Sequence, residues 1–178
     1  MSKAFYHEPT GRIIIRGLKA MPGCMDFKFL NFAGEKSDTN ANGTRNFSVV
    51  ISEEDKIAIE EAMAKAGRKL NIKEYNGEYY FKIIFGQKYP PEIIKKKILK
   101  SGRVLKTVIP EEDLKFLDKT LMADAELSCS PTFLAKRNNW TCYLNKFNYI
   151  PLVDPLEEEE DEEEAECEFP VDDEVPFE

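Results

Sequence analysis

The sequence has one histidine, four scattered cysteines and no long apolar run, and each scarcity excludes a class of protein or site. The cysteines, Cys24, Cys129, Cys142 and Cys167, form no C-x-x-C pair, so neither a structural zinc site nor a disulfide framework is expected. The single histidine, His7, leaves little scope for Ser-His or Cys-His catalysis. No segment approaches the roughly 18 apolar residues of a membrane span.

Motifs that would indicate an enzyme are also missing. The chain contains no P-loop, no G-x-G-x-x-G and no H-E-x-x-H. The acid pairs at 53–54 and 111–112 each begin a predicted helix, where carboxylates favour the positive end of the helix dipole. We therefore predict a protein that is not an enzyme and that holds no metal and no cofactor. The first residues show no apolar stretch of a secretory signal, so we expect a cytoplasmic protein without a membrane partner.

Charge divides the chain into two parts of opposite sign. Residues 155–178 carry fourteen Asp and Glu and no Lys or Arg. The whole chain has 25 Lys and Arg against 33 Asp and Glu, so residues 1–154 keep 19 acids and a net charge of +6. A basic body can hold a polyanion, and an acidic tail can compete with that polyanion or recruit partners.

The pattern of apolar residues predicts a mainly β (α+β) domain over residues 1–153 and a disordered acidic tail over 154–178. Strands are expected at 12–16, 25–32, 45–51, 70–75, 78–86, 124–134 and 140–150, with a hairpin turn at Asn76-Gly77. Helices are expected at 53–66, with Ile57 and Met63 on the apolar stripe, and from residue 110. This order does not fit a doubly wound sheet, and an OB-fold-like antiparallel barrel with two helical insertions fits better.

Basic and aromatic residues alternate on several of these strands, which is the composition of a single-strand groove. Phosphates are neutralised by Lys and Arg, and bases stack on aromatic faces. A run of lysines is more often a solvated face, and buried aromatics are more often core, but the net charge of the body favours phosphate contact. The predicted phosphate contacts are Arg12, Arg16, Lys28, Lys82, Lys95, Lys97 and Arg103, and the predicted stacking residues are Tyr80, Trp140, Tyr143 and Phe147.

The end of the tail has an apolar tip. A tail that only solvates the protein has no need of a phenylalanine near its end, whereas a docking peptide does. We predict that partner proteins bind the segment Asp172, Asp173, Glu174, Val175, Pro176 and Phe177.

Two resemblances support this interpretation. Residues 172–177 resemble the acidic tip of bacterial single-stranded-DNA-binding proteins, which ends in acids followed by Ile-Pro-Phe, although this chain has Val175 for Ile and one further residue, Glu178. The body resembles a family of phage-encoded single-stranded-DNA-binding proteins with an OB-fold core. The similar stretches cover about 110 residues in order: 45–51, 70–85, 101–103, 110–117, 138–140 and 142–149. The resemblance implies cooperative coating of single strands during phage replication, without catalysis.

From the sequence we predict a protein that coats single-stranded DNA in replication, recombination or repair, in the host cytoplasm if the protein is phage-encoded. Its tail would recruit replication or recombination proteins. One alternative is an acidic-tailed interaction protein, a chaperone or DNA mimic that binds basic proteins. Others are a small Mg²⁺-dependent nuclease, which is the least favoured, and RNA as the natural ligand. The oligomeric state is left open.

Overall fold

Ten strands and two helices make up the part of the chain that the computed structural model describes, residues 3–20, 26–38 and 40–152. The helices are α1 (Glu53–Lys65) and a 3-10 helix (Glu111–Lys119). The strands are β1 (Lys3–His7), β2 (Arg12–Ala20), β3 (Phe27–Asn31), β4 (Asn46–Ile51), β5 (Lys73–Tyr75), β6 (Glu78–Ile84), β7 (Glu92–Ile98), β8 (Val104–Val108), β9 (Met122–Leu134) and β10 (Asn139–Pro151).

The strands form one mixed sheet in the order β1-β2-β9-β10-β6-β4-β3, with β5 beside β6 and the β7–β8 hairpin beside β10. Most neighbours are antiparallel, but β10 runs parallel to both β6 and β7. Along one side β10 pairs with β9 almost throughout. Along its other side it pairs first with β6, at residues 142–143, and then with β7, at residues 146–149. Strand β10 is therefore the element that joins the parts of the sheet.

The expected mainly β, OB-fold-like architecture with two helical insertions is confirmed, whereas the antiparallel barrel needs correction. Two strand pairs are parallel, and within the described residues the order ends at β1 and β3 without joining them. None of the helices in these ranges is long and apolar enough to cross a membrane. The predicted tail, 154–178, lies outside the described residues, so the boundary at 153 stays a prediction.

Local sequence signals place several elements where they were expected. Ser52 caps α1, since its Oγ accepts a hydrogen bond from the Asp55 N–H at 3.1 Å, and the helix ends just before Gly67 at φ +71°. Asn76 and Gly77 join β5 to β6 with φ values of 52° and 79°, as a type I′ turn requires.

One local expectation is wrong, and three strands were not expected. The buried stripe of α1 is Ile59 and Met63, whereas Ile57 is exposed. Strands β1, β7 and β8 were not foreseen. The buried residue of β1 is Ala4, whose N–H donates to Asp55 of α1 at 3.1 Å. The helix α1 packs against β1. Because β1 was not predicted, the face of α1 that it buries could not be predicted either.

A cluster of phenylalanines fills the core between the strands. Phe32 and Phe47 stack with ring centroids 4.9 Å apart, and the Phe147 ring meets both nearly edge-on at 5.7 and 5.8 Å. Phe27 and Phe85 complete the cluster. Phe147 reaches it because a bulge between Leu144 and Lys146 turns the following side chains of β10 inward.

Tyr149 gives a prediction on stability at high pH. Burial raises the pKa of Tyr149 from 10.0 to about 12. The unfolded chain therefore loses this proton first as the pH rises, so the phenol destabilises the folded state between pH 10 and pH 12. We expect the free energy of unfolding to fall by about 2–3 kcal/mol relative to Tyr149→Phe across that range.

Urea denaturation of both proteins at pH 9 and pH 11.5 measures this difference. Because both proteins share every other ionisable group, a difference that stays constant with pH would contradict the burial of the phenol.

Candidate nucleic-acid interface

A cleft opens where β6 and β10 part. The two strands pair only at Cys142 with Ile83 and at Tyr143 with Ile84, because β10 and β9 continue as a hairpin with its turn at 135–138. The cleft, which we name the β6–β10 cleft, has a volume of about 740 Å³. Its walls are β6, the β9–β10 hairpin, the loop at 40–44 and residues from 70 to 73.

The charge of this cleft is of one sign. Four cationic side chains line it, Lys73, Lys82, Lys136 and Arg137, and none of its described lining residues is acidic. Five cations outside the cleft are paired with acids, among them Arg16 with Glu126 at 2.5 Å. Within the described ranges, the cleft cations form no such ion pair. Cations without an acidic partner in a concave site favour an anionic ligand.

Aromatic rings share the cleft with these cations. Phe133, which is 47% exposed, meets Trp140 at 5.6 Å between ring centroids and 62° between planes. The two residues lie opposite each other at the end of the β9–β10 ladder, beyond the core. Tyr143 faces the same cleft from the outer side of β10. Partly exposed rings beside unpaired cations are what an unpaired nucleotide strand needs, since bases stack and phosphates are neutralised.

The loop between β3 and β4 forms a fixed wall of the cleft. The Asn40 side chain donates to the carbonyls of Glu35 at 2.9 Å and Thr44 at 3.0 Å, and it accepts from the Thr44 N–H at 3.1 Å. Asp118 of the 3-10 helix accepts from the N–H groups of Phe32 at 2.6 Å and Ala33 at 3.2 Å. This loop has few apolar side chains that could pack against the core, so these hydrogen bonds hold it in place.

Three predicted residues meet in the cleft: Lys82, Trp140 and Tyr143. Tyr80 and Lys28 lie together on a neighbouring surface, with Lys28 Nζ 5.9 Å from the centre of the Tyr80 ring. The Lys28 ammonium also pairs with Glu78, and its side chain is only 12% exposed. Its charge is therefore already balanced within the protein, which makes it a poor phosphate contact.

The remaining predicted cations lie elsewhere in the sheet. Arg12 and Arg16 are on β2, which β9 separates from β10; Arg16 pairs with Glu126 and lies over the Phe5 ring at 5.4 Å. Lys95 and Lys97 belong to β7 of the β7–β8 hairpin, and Arg103 lies in its turn. None of these five lines the β6–β10 cleft.

Phe147 cannot stack on a base, and that prediction is wrong. The residue is fully buried in the phenylalanine cluster. Simple alternation from Tyr143 would place Phe147 on the outer face, but the bulge adds one residue and reverses the alternation. Ser130 marks the bulge, since its Oγ donates to Asn145 Oδ1 at 2.7 Å.

Sequence reasoning missed four residues of the cleft: Lys73, Phe133, Lys136 and Arg137. A signal for three of them was present. Lys136 and Arg137 form a basic turn between two predicted strands, and Phe133 and Trp140 flank that turn symmetrically, as cross-strand partners do. The predicted tip residues 172–177 lie outside the described residues.

The cysteines of the core have no visible role as ligands. Cys129 and Cys142 are buried free thiols, and burial together with a hydrogen bond to Cys142 raises the pKa of Cys129. Such a thiol stays protonated and packs as a small apolar side chain. Across residues 3–20, 26–38 and 40–152, no three or more His, Cys, Asp or Glu side chains are grouped so that they could hold a metal ion.

Comparisons with known proteins agree with a nucleic-acid interface. Residues 19–174 match the family model described as "Putative phage ssDNA-binding domain". No curated protein matches the chain.

Solved structures with a similar fold include the single-stranded DNA-binding protein of bacteriophage Enc34. It appears in complex with ssDNA (TM-score 0.49, 8% identity, 82% of this chain and 89% of that chain). The same protein with a C-terminal truncation matches with a TM-score of 0.47 and 7% identity, over 82% of this chain and 89% of that chain. A third structure, described as the single-stranded DNA-binding protein alone, matches with a TM-score of 0.48 and 8% identity, over 82% of this chain and 84% of that chain.

The loop wall of the cleft gives a prediction with a matched control. Gly34 has φ +71°, and a Cβ there would lie 2.7 Å from the Gly43 carbonyl oxygen. Gly67 also has φ +71°, but a Cβ there would meet nothing within 4 Å. Gly67→Ala should cost about 1 kcal/mol, the penalty for a left-handed backbone, and Gly34→Ala should cost more, because the Gly43 backbone must also move.

Thermal or urea denaturation of the two variants measures both losses. Equal losses would show that the close approach of Gly34 to Gly43 is absent in solution.

Proposed function

Because the chain belongs to the phage ssDNA-binding domain family, with single-stranded DNA as its ligand, we propose that it coats single strands without sequence specificity during phage DNA replication, recombination or repair. The observation that carries the proposal is the β6–β10 cleft, with four unpaired cations, partly exposed aromatic rings and no acidic lining residue within the described ranges.

The chemistry of the cleft favours binding that tolerates any sequence. Every base has a face that can stack on Trp140, Tyr143 or Phe133, and no sequence information is needed for that contact. Phosphates would lie against Lys82 and the basic turn at 136–137, and their neutralisation releases counterions. Affinity should therefore depend steeply on salt and little on base composition, apart from differences in stacking strength.

The β7–β8 hairpin would extend the phosphate path beyond the cleft. It carries the predicted residues Lys95, Lys97 and Arg103, and Lys96 and Lys106 lie directly opposite each other across its ladder. Like charges placed opposite each other are unfavourable unless an anion lies between or above them. A phosphate chain that reaches this hairpin would remove that repulsion.

We propose further that the acidic tail competes with DNA for the body and presents its tip, residues 172–177, to replication or recombination proteins once DNA displaces it. The described chain ends at Leu152, whose N–H donates to the Leu121 carbonyl at 2.8 Å. An extended segment of 24 residues spans about 80 Å, several times the ~15 Å radius of gyration of a domain of 150 residues. A chain of that length can reach every basic surface of the body.

The proposed activity is binding alone, without catalysis and in the cytoplasm. A labelled 30-nucleotide strand that stays intact with the protein and Mg²⁺ would agree with this proposal. Cleavage that EDTA abolishes would contradict it and favour the nuclease alternative.

A first prediction concerns the residues of the cleft. Trp140→Ala should weaken binding of labelled dT30 about 5- to 150-fold, because each stacked base is worth about 1–3 kcal/mol. Tyr89→Ala is the matched control, since Tyr89 is 78% exposed outside the cleft and should leave the affinity unchanged. Lys82→Ala should lower the slope of log K against log salt by about 1, whereas Lys65→Ala on α1 should not.

Fluorescence anisotropy at several salt concentrations measures these effects, with duplex DNA and an RNA strand of the same length as competitors. Equal losses for cleft and control variants would remove the cleft as the binding site. Tighter binding of duplex DNA than of dT30 would disprove the proposed function. Tighter binding of the RNA strand would indicate that RNA, and not DNA, is the ligand.

A second prediction concerns the tail. A form that ends at residue 154 should bind dT30 more tightly than the full chain at low salt, on the order of tenfold, since fourteen carboxylates no longer compete with phosphate. The difference should shrink as salt screens both interactions. Unchanged affinity at low salt would disprove the competition, and loss of all binding without the tail would favour the interaction-protein alternative.

A further inference from the structure

We propose that Phe29 of β3, together with Tyr80 of β6, forms a second base-stacking station on the surface next to the β6–β10 cleft. This inference rests on the proposed function, since it assigns a further contact to the same bound strand.

The backbone at Phe29 is the first observation. Its φ is +54°, in the left-handed region that a bulky residue rarely adopts. The pairing of β3 with β4 shifts register between Lys28 and Asn31, so Phe29 lies in an irregular part of the strand. Glycine would take this backbone without strain, yet the chain places a phenylalanine there. Strain of this kind on a bulky residue clusters at binding sites.

The exposure of the ring is the second observation. Regular alternation would put Phe29 on the same side as Phe27, which is buried in the phenylalanine cluster. The unusual backbone instead leaves Phe29 70% exposed. The strain therefore does not serve core packing. It presents an apolar ring to solvent, which is unfavourable for the isolated protein and useful to a ligand with a flat apolar face.

The surroundings of Phe29 are the third observation. Its ring lies 6.2 Å from the Tyr80 ring at 54°, and Lys28 Nζ lies 5.9 Å from the centre of Tyr80 and 6.0 Å from that of Tyr75. Glu78 pairs with Lys28, so this ammonium holds the tyrosines in place without adding a net charge to the surface. A neutral aromatic surface suits the bases rather than the phosphates.

Lys82 connects this station to the cleft. It follows Tyr80 by two residues on β6, which places both on one face of the strand about 7 Å apart. Ser48 lies opposite Lys82 on one side and opposite Lys28 on the other, so the three residues form a row across β3, β4 and β6. Tyr143 lies on this same outer face, next to Ile84 of β6. A strand that stacks on Tyr143 can thus pass its phosphate over Lys82 and place a further base on Phe29.

Substitutions at Phe29 can distinguish a loss of base stacking from a loss of folding stability. Phe29→Gly removes the ring and relieves the backbone, so its melting temperature should not fall below that of the wild type, while its affinity for dT30 should fall about 5- to 150-fold. Phe29→Tyr keeps a stacking ring and should bind within about twofold of the wild type. Phe116→Ala is the matched control, because Phe116 is 60% exposed on the 3-10 helix with a lysine, Lys115, 5.3 Å from its ring centre.

The affinities of these variants for dT30 show whether Phe29 contacts a base. Loss of affinity with Phe29→Gly, retention with Phe29→Tyr and no change with Phe116→Ala would establish the station. A Phe29→Gly variant that binds dT30 like the wild type would overturn it while leaving the proposed function standing. A changed sedimentation coefficient with unchanged affinity would also overturn it, since Phe29 would then contact a second copy of the chain. A wild type that does not bind dT30 would remove the proposed function itself.

Discussion

At Asn145, strand β10 carries one residue more than its partner β9, and the side-chain alternation reverses. Before this bulge Tyr143 faces outward, and after it Phe147 turns into the phenylalanine cluster. The partner of β10 also changes across the bulge, from β6 to β7. The cleft lies on the other side of the two β6 pairs, where β10 approaches the hairpin turn at 135–138 and runs apart from β6. The packing of the core and the change of strand partner thus depend on the same extra residue, because the bulge keeps Tyr143 outward on the cleft side and turns Phe147 inward.

The distribution of charge distinguishes the cleft from other parts of the described surface. Several cations outside the cleft pair with acids on neighbouring strands or helices, as Arg16 does with Glu126 and Arg45 with Glu111. The cleft receives cations from β6 and from the hairpin turn, while the described residues that line it include no acid. The acids that give the chain its net charge of −8 are concentrated instead in residues 155–178. The cationic cleft and the acidic residues that we propose to compete for it thus lie on separate segments of one chain.

Much of the fold could be predicted, because its signals are local. The cap at Ser52 and the turn at Asn76-Gly77 depend on adjacent residues and appear as expected. What failed depends on distant contacts. Alternation placed Phe147 outside because no local signal announces the bulge, and it placed Phe29 beside Phe27 because a positive φ at phenylalanine has no sequence signature. Lys28 looked like a phosphate contact because its partner Glu78 is distant in sequence.

Photo-cross-linking of the full chain to a 5-iodouracil-containing single strand, with mapping of the modified peptides, would identify the residues that lie against the bound bases. We expect cross-links at Trp140 or Tyr143 of β10 and at Phe133 of β9, which line the β6–β10 cleft. Unlabelled single strand should compete for these cross-links more effectively than duplex. Cross-links confined to β1 and β2, at one edge of the sheet, would show that single strands bind outside the β6–β10 cleft.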